Sequence, residues 1–250
     1  VQTLLDAVEH PVGGKPLSEL VQGGKSVVLM IENQFRAAQA DVLLLPLVKK
    51  LQAAGCSIKI IIGSGKVGPL NDDEVRVKLG DELYGYHLPV CSNDVSKPEQ
   101  YVFKGVSTRG IPIWVHKWVD EADVKITLGT TQATLWGYGG SGMVIPGTAN
   151  NETIEMNHIM SLSPTGVPGN NEAAMQLDKY EALHMCGITM GINVIVSNRF
   201  DIIAINAGEP EESHRASVAE YDRIYKFPVT EKADIVICGS TAPTDHLFFH

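Results

Sequence analysis

Residues 146–158 (PGTANNETIEMNH) end on His158, four positions after Ile154, so the two share a face if the segment is helical. An imidazole there is either a satisfied, partly buried histidine or a metal ligand. Alone it cannot hold a metal, because protein sites usually take three or four ligands. Arg36 follows an apolar run and can meet a carboxylate through two parallel hydrogen bonds; the plain alternative is a surface arginine. Gly137, Gly139, Gly140 and Gly142 crowd one loop, with Pro146-Gly147 after them. Such a loop can bring backbone N–H groups to a phosphate, helped by the helix N-terminus that follows. The plain alternative is a tight turn that uses glycine's freedom at positive φ. His116, His184 and His214 have no ligand-like spacing: His214 reads as structural in a helix start, the other two as ordinary amphipathic positions. Trp114, Trp118 and Trp136 read as packing in the core or lining a pocket.

The elements that must position these residues alternate. Ser26–Glu32 (SVVLMIE) is short, rich in β-branched residues and preceded by Gly-Gly, which predicts a buried strand. Residues 41–54 predict a helix with Leu44, Leu47, Val48 and Leu51 on one face and Gly55 as its stop. Pro46 must lie in its first turn or kink it. Further strands are expected at 57–62, 123–128 and 233–238, a glycine-rich loop at 63–69, and a charged, exposed helix at 72–83. Asn150 can cap a helix running to about residue 160. Residues 191–197 and 201–206 predict a hairpin around Asn198-Arg199, and 211–226 a helix. This alternation predicts an α/β, Rossmann-like fold: a mostly parallel sheet flanked by helices. In such a sheet the site lies at the C-terminal ends of the strands, where Arg36, residues 63–66 and residues 130–142 fall.

The composition is that of an ordinary globular protein, with 44% apolar and 20% charged residues in 250. Twenty basic against 29 acidic residues leave a net charge of −9, which argues against a general nucleic-acid binder. A local basic pocket for one small anion remains compatible with it. No apolar run approaches the ~18 residues of a spanning helix, and no signal peptide is visible, so no membrane partner is expected. Cys56, Cys91, Cys186 and Cys238 are far apart and form no CxxC, which points to a reducing, cytoplasmic setting. Cys56 and Cys238 sit in apolar strand-like contexts. Residues 228–232 look like a boundary, so residues 1–228 are expected to form one α/β domain and 229–250 the start of a truncated second one.

Five segments in order resemble the nickel-dependent lactate racemase family, in its N-terminal domain. They are HPVGGKPLSEL from His10; GVSTRGIP from Gly105, with Val119 to Asp123 after it; PGTANNETIEMNH from Pro146; Ala207-Gly208-Glu209-Pro210 with Ser213-His214-Arg215; and Glu231 to Val236. Each is weak alone; their shared order and spacing cover nearly the whole chain.

The resemblance implies inversion of a 2-hydroxy acid by a nickel-pincer nucleotide cofactor. In the family this cofactor is tethered to a lysine and capped by one histidine, and two other histidines move the hydroxyl proton. By position, the nickel ligand falls on His158 and the carboxylate-binding arginine on Arg36; the family's acidic residue at 33 is Asn33 here. The first proton-shuttle histidine falls on Gly65 within Gly63-Ser64-Gly65-Lys66, the second on Gln132, and the tethering lysine on Gly142. Gln132 cannot take up a proton near neutral pH but can hydrogen-bond. Lys66 can replace the lost base only if its pKa is strongly lowered. The substitutions therefore leave two expectations open. One is a racemase or epimerase that binds the cofactor untethered, through His158 and the 137–142 loop. The other is a non-catalytic anion- or nucleotide-binding homologue.

Overall fold

A computed structural model describes residues 2–36 and 38–237. The strands are β1 (Ser26–Glu32), β2 (Ser57–Gly63), β3 (Val90–Ser92), β4 (Tyr101–Val106), β5 (Pro112–His116), β6 (Val124–Thr130), β7 (Ala133–Thr134), β8 (Gly137–Tyr138), β9 (Met190–Val196) and β10 (Ile202–Gly208). The helices are α1 (Gln2–Glu9), α2 (Leu17–Leu20), α3 (Ala40–Ala53), α4 (Asp72–Leu79), α5 (Asp81–Tyr84), α6 (Lys117–Glu121), α7 (Asn151–Ile159), α8 (Ala174–Met185) and α9 (Pro210–Tyr225). Six strands form one sheet in the order β10-β9-β6-β1-β2-β3. All its pairs are parallel except β9–β10, the predicted hairpin. The mostly parallel sheet expected from the alternation is therefore present.

The apolar runs of the central strands follow from burial on both faces. In β1, Val27, Leu29 and Ile31 face a core shared with α1, α2 and α3. Val28 and Met30 face the other core, with Ile113 and Val115 of β5, Ile154 of α7 and Leu183 of α8. Helix α3 carries Leu43, Leu44, Leu47, Val48 and Leu51 into the first core. Pro46 lies inside this helix, past its first turn.

Three expectations change. Residues 72–83 form two helices rather than one, with the chain turning at Gly80 between α4 and α5. Asn71 and Glu74 form a reciprocal capping box that starts α4. No strand forms over 233–237, because no neighbouring strand pairs with it among the described residues; Cys238 lies outside them. The antiparallel pair β4–β5, off the main sheet, went unread in the sequence. His116 is buried rather than amphipathic: its Nδ1 accepts the Trp118 amide at 3.2 Å and so caps α6.

The chain runs outward from β1 to β2 and β3 on one side, and through β6 to β9 on the other. Between β1 and β6 the order reverses, the switch point at which open α/β sheets form crevices. Glu32 stands there, 3% exposed. Its carboxylate accepts the Ala38 amide at 2.7 Å, the Thr130 amide at 2.8 Å and the Thr130 hydroxyl at 2.8 Å. One side chain thus ties the loop after β1 to the end of β6. Lys78 of α4 holds the same loop from the other side, donating to the Asn33 carbonyl at 2.9 Å.

A second tie runs from α9. His214 is fully buried; its Nε2 lies 2.7 Å from the Gly139 carbonyl and its Nδ1 2.6 Å from the Tyr180 hydroxyl. The carbonyl can only accept, so Nε2 carries the proton, while Nδ1 faces the Tyr180 hydroxyl, which also meets Asn171 Oδ1 at 2.9 Å. Burial pushes the His214 pKa down to about 4, against a partial upward pull from the Gly139 contact. Burial and the nearby Lys117 bring His116 to about 4 as well.

Two outcomes are expected. Glu32→Ala strands three buried donors and lowers the unfolding free energy by about 3 kcal/mol or more, whereas Glu32→Gln costs about 1–2 kcal/mol; urea titrations measure both. Because the unfolded chain protonates His116 and His214 first, near 6.5, stability is full above that pH and falls as pH drops toward 4. Shifts of this size correspond to roughly 3 kcal/mol per group. Urea midpoints that stay flat across this window would refute the assignment.

Candidate functional site

The C-terminal ends of β1, β2 and β6 open toward three loops, which are bonded to one another. The Gly65 amide donates to the Gly147 carbonyl at 3.1 Å. Asn93, fully buried after β3, donates to the Ala149 carbonyl at 3.0 Å and the Gly65 carbonyl at 3.3 Å. Asn150 accepts the Thr153 amide at 2.9 Å, the predicted cap that starts α7. The N-terminal turn of α7 is thereby held beside the loop after β2.

On α7, His158 is half-buried and its Nδ1 lies 2.8 Å from the Ile154 carbonyl. That carbonyl accepts, so Nδ1 bears the proton and Nε2 keeps its lone pair free. Metal-binding histidines are commonly oriented by such a backbone contact. Burial lowers the His158 pKa, the Ile154 contact raises it, and the charges of Lys179 and Lys66 lower it further. Trp136, half-buried, meets the imidazole edge-on with ring centroids 6.4 Å apart. Trp114 and Trp118 are also half-buried. Among the described residues no cluster of three His, Cys, Asp or Glu side chains can hold a metal ion. The donor set suits a metal that arrives with its other ligands in place.

Lys66 is exposed and pairs with Glu155 of α7 at 2.6 Å. Arg36 is exposed in the loop after β1 and lines an open cleft of about 830 Å³ with Phe35, Gln39, Lys78 and Phe200. This cleft reaches neither His158 nor Lys66. Gln132 is half-buried; its backbone carbonyl accepts the Gly139 amide at 2.9 Å and so closes the turn joining β7 to β8.

In the glycine loop, both backbone and packing favour glycine at position 140. It has φ of +101°, and a Cβ there would stand 3.0 Å from both His214 Cδ2 and Thr131 Oγ1. Position 142 differs. Gly142 has φ −85° and ψ 14°, and a Cβ would meet the Ile145 carbonyl oxygen at 3.4 Å and Pro146 Cδ at 3.5 Å. Any residue adopts that backbone. Gly137 and Gly139 pack against the Asn170 and Thr130 carbonyls, respectively. Two buried hydroxyls near these loops, Ser64 Oγ and Thr131 Oγ1, have no hydrogen-bond partner within the described structure.

Sequence reasoning missed Lys179. It lies on α8, half-buried, three residues after Gln176 and thus on the same face. Gln176 donates to Ser141 Oγ at 2.7 Å, inside the glycine loop. Asp178 accepts the Asn157 amide at 2.9 Å, and Tyr180 holds His214. Both residues flanking Lys179 are therefore tied down, but no acceptor contacts its own ammonium among the described residues. Burial, then the nearby Arg36, push its pKa down to about 8. The charge of Arg36 acts on Lys179, and that of Lys179 lowers the His158 pKa. A lysine among the buried spacings 176, 180 and 183 was the available signal.

Two curated relatives are lactate racemases. That of Thermoanaerobacterium thermosaccharolyticum is 26% identical over 246 residues, covering 94% of this chain and 56% of the relative. That of Lactiplantibacillus plantarum is 25% identical over 244 residues, covering 94% and 57%. The chain thus spans little more than half the length of the curated relatives it matches. Among solved structures, the lactate racemase apoprotein of T. thermosaccharolyticum superposes with a TM-score of 0.82 at 22% identity, over 88% of this chain and 54% of that one. A protein from Thermotoga maritima gives 0.75 at 17% identity, over 89% and 59%. These two likenesses concern the fold. With the profile of the lactate racemase N-terminal domain matching residues 1–167, this divergent chain belongs to the lactate racemase N-terminal domain family.

Proposed function

We propose that this lactate racemase-like protein is an isomerase of a small 2-hydroxy acid that holds a nickel-pincer nucleotide without a covalent tether, with His158 as the protein ligand to nickel. The observation that carries this reading is the His158 tautomer: Nδ1–H is committed to Ile154, and Nε2 remains free on the side of the imidazole away from that contact. When bound, the cofactor supplies the hydride chemistry. The chain's own residues bind and orient, and the hydroxyl proton goes to a carrier outside them. Arg36 offers a guanidinium to the substrate carboxylate. The 137–142 loop, with the unpartnered Thr131 and Ser64 hydroxyls beside it, offers polar groups to the nucleotide. On this reading residues 1–228 form the first domain and a second begins at residue 229. Among the described residues no helix is long and apolar enough to cross a membrane, in keeping with a small-molecule enzyme of the cytoplasm.

One observation favours a second reading, a non-catalytic homologue that binds an anion or nucleotide. Both positions that the resemblance gives to histidines hold groups that cannot take up or release a proton near neutral pH, Gly65 and Gln132, and Lys66 is exposed and paired with Glu155. An exposed, paired lysine is a poor base, and each positioned acid or base contributes ~10²–10⁴-fold to a rate. Racemisation by the two-histidine route is therefore closed to this chain. Turnover needs a proton carrier from another part of the protein.

Nickel content, measured with native mass after co-expression with cofactor-synthesis enzymes, separates the two. The first reading expects stoichiometric nickel and a small-molecule mass increment that vanishes in denaturant, and His158→Ala should lose both. A folded parent with neither nickel nor increment would leave the binding homologue. Position 142 gives a second test. Because the backbone there accepts a side chain, Gly142→Lys is expected to fold as the parent does. Under the same co-expression it should retain the increment in denaturant; an increment that still vanishes would count against the cofactor lying beside this loop. Restoring a histidine at 65 is less direct, since φ of +54° there costs a side chain roughly 1–2 kcal/mol.

A further inference from the structure

We propose that Lys179 is the cation that meets the anionic group of the ligand in this pocket, acting from α8 between the glycine loop and His158. The inference rests on the pocket reading above and adds to it a residue that the family resemblance does not supply.

Four observations converge on it. The first is placement. Helix α8 packs against both ends of the glycine loop, at β8 and at Met143–Thr148, and against α7. Gln176 touches Ser141 of that loop, and Lys179 lies on the same helical face, nearly one turn farther on. On α7 the Asn157–Asp178 bond joins the residues next to His158 and Lys179, which brings these two elements together at that level. The second is lack of a partner. A lysine kept for stability normally ends on a carboxylate or a carbonyl, as Lys78 does on Asn33 and Lys125 on the Cys186 carbonyl. Lys179 has neither among the described residues, although surrounding protein depresses its pKa.

The third is charge. Its electrostatic neighbours are other cations or imidazoles: Arg36, His158 and His214. A partly desolvated ammonium repelled by a nearby guanidinium is a cost to the empty fold, and a negative ligand offsets it. The fourth is unused hydrogen-bonding capacity in the same wall. Gln176 Oε1 and Thr131 Oγ1 are buried without partners among the described residues. Such groups usually mark a place where a ligand or water completes the set. Together they describe a site for an oxyanion. A carboxylate of a hydroxy acid and a phosphate of a nucleotide both present that chemistry.

The test uses calorimetric titration of the protein with L-lactate, D-lactate, inorganic phosphate and nicotinic acid mononucleotide. Lactate reports a carboxylate site, and phosphate a phosphate site. Lys179→Met should weaken the responding probe about tenfold or more, the loss expected for one charge-assisted contact. Lys179→Arg, which keeps the charge, should stay within a few-fold of the parent. Lys179→Met should also melt at or above the parent temperature, because it removes an unpaired, desolvated cation. A merely structural lysine predicts the reverse, a lower melting temperature with unchanged affinity. Unchanged affinity in Lys179→Met, beside weakened binding in Arg36→Met, would overturn this inference and leave the pocket standing. A parent that binds no probe overturns it too. If nickel and the mass increment are then present, the cofactor reading survives; if they are also absent, both fall together.

Discussion

The architecture of the site hangs on one buried carboxylate. Glu32 ends β1 at the point where strand order reverses, and it collects three donors from the two chain segments that diverge there. A carboxylate in that position is stable only because every donor is aligned with it; without them the desolvation cost would be prohibitive. Its effect is to fix the start of the 33–39 loop relative to the end of β6. Arg36 leaves from one side of this clamp and the Thr131–Gln132 segment from the other. The crevice between β1 and β6 is thus a consequence of strand order, and the clamp sets its width.

The opposite wall is set by a chain of neutral groups. His214 presents its proton to the Gly139 carbonyl and meets the Tyr180 hydroxyl through Nδ1, so α8, α9 and the glycine loop are joined through a single imidazole. Because His214 is buried and uncharged, it adds no further positive charge to a wall that already contains Lys179. The bonds through His214 are neutral, and the Lys179 ammonium meets no acceptor among the described residues. That division is what a site built for an anion requires, and it carries a cost in the empty fold.

The departures from the family's catalytic pattern differ in kind. At 142 the backbone is ordinary and only the side chain is missing. At 65 the chain runs through the left-handed region, with Pro146 packed close by, so the loop conformation itself favours glycine. At 132 the backbone carbonyl closes the β7–β8 turn, a role independent of the side chain. The loss of one side chain at 142 is locally reversible, and the change at 65 is built into the loop.

Much of the fold was legible because burial on both faces of a parallel sheet leaves continuous apolar runs, as in SVVLMIE, and because glycine and Asn150 mark where helices stop and start. The order of conserved-looking segments identified the family, and the alternation placed Arg36, Gly65 and the glycine loop at one end of the sheet. The split of 72–83 at Gly80, the off-sheet hairpin β4–β5 and the irregular course of 233–237 were not legible, since each depends on which partner a segment finds in space. The same holds for the site. Sequence alone determined which side chains exist to do chemistry, with Gly65, Gln132 and Gly142 at the positions the resemblance sets against the family's catalytic groups. Tertiary structure decided that Glu32 is a clamp and not a surface charge, that His158 keeps Nε2 free, and that the Lys179 ammonium meets no acceptor among the described residues. Charge, tautomer and desolvation are properties of a side chain's surroundings, and residues from distant parts of the chain supply those surroundings only once it has folded.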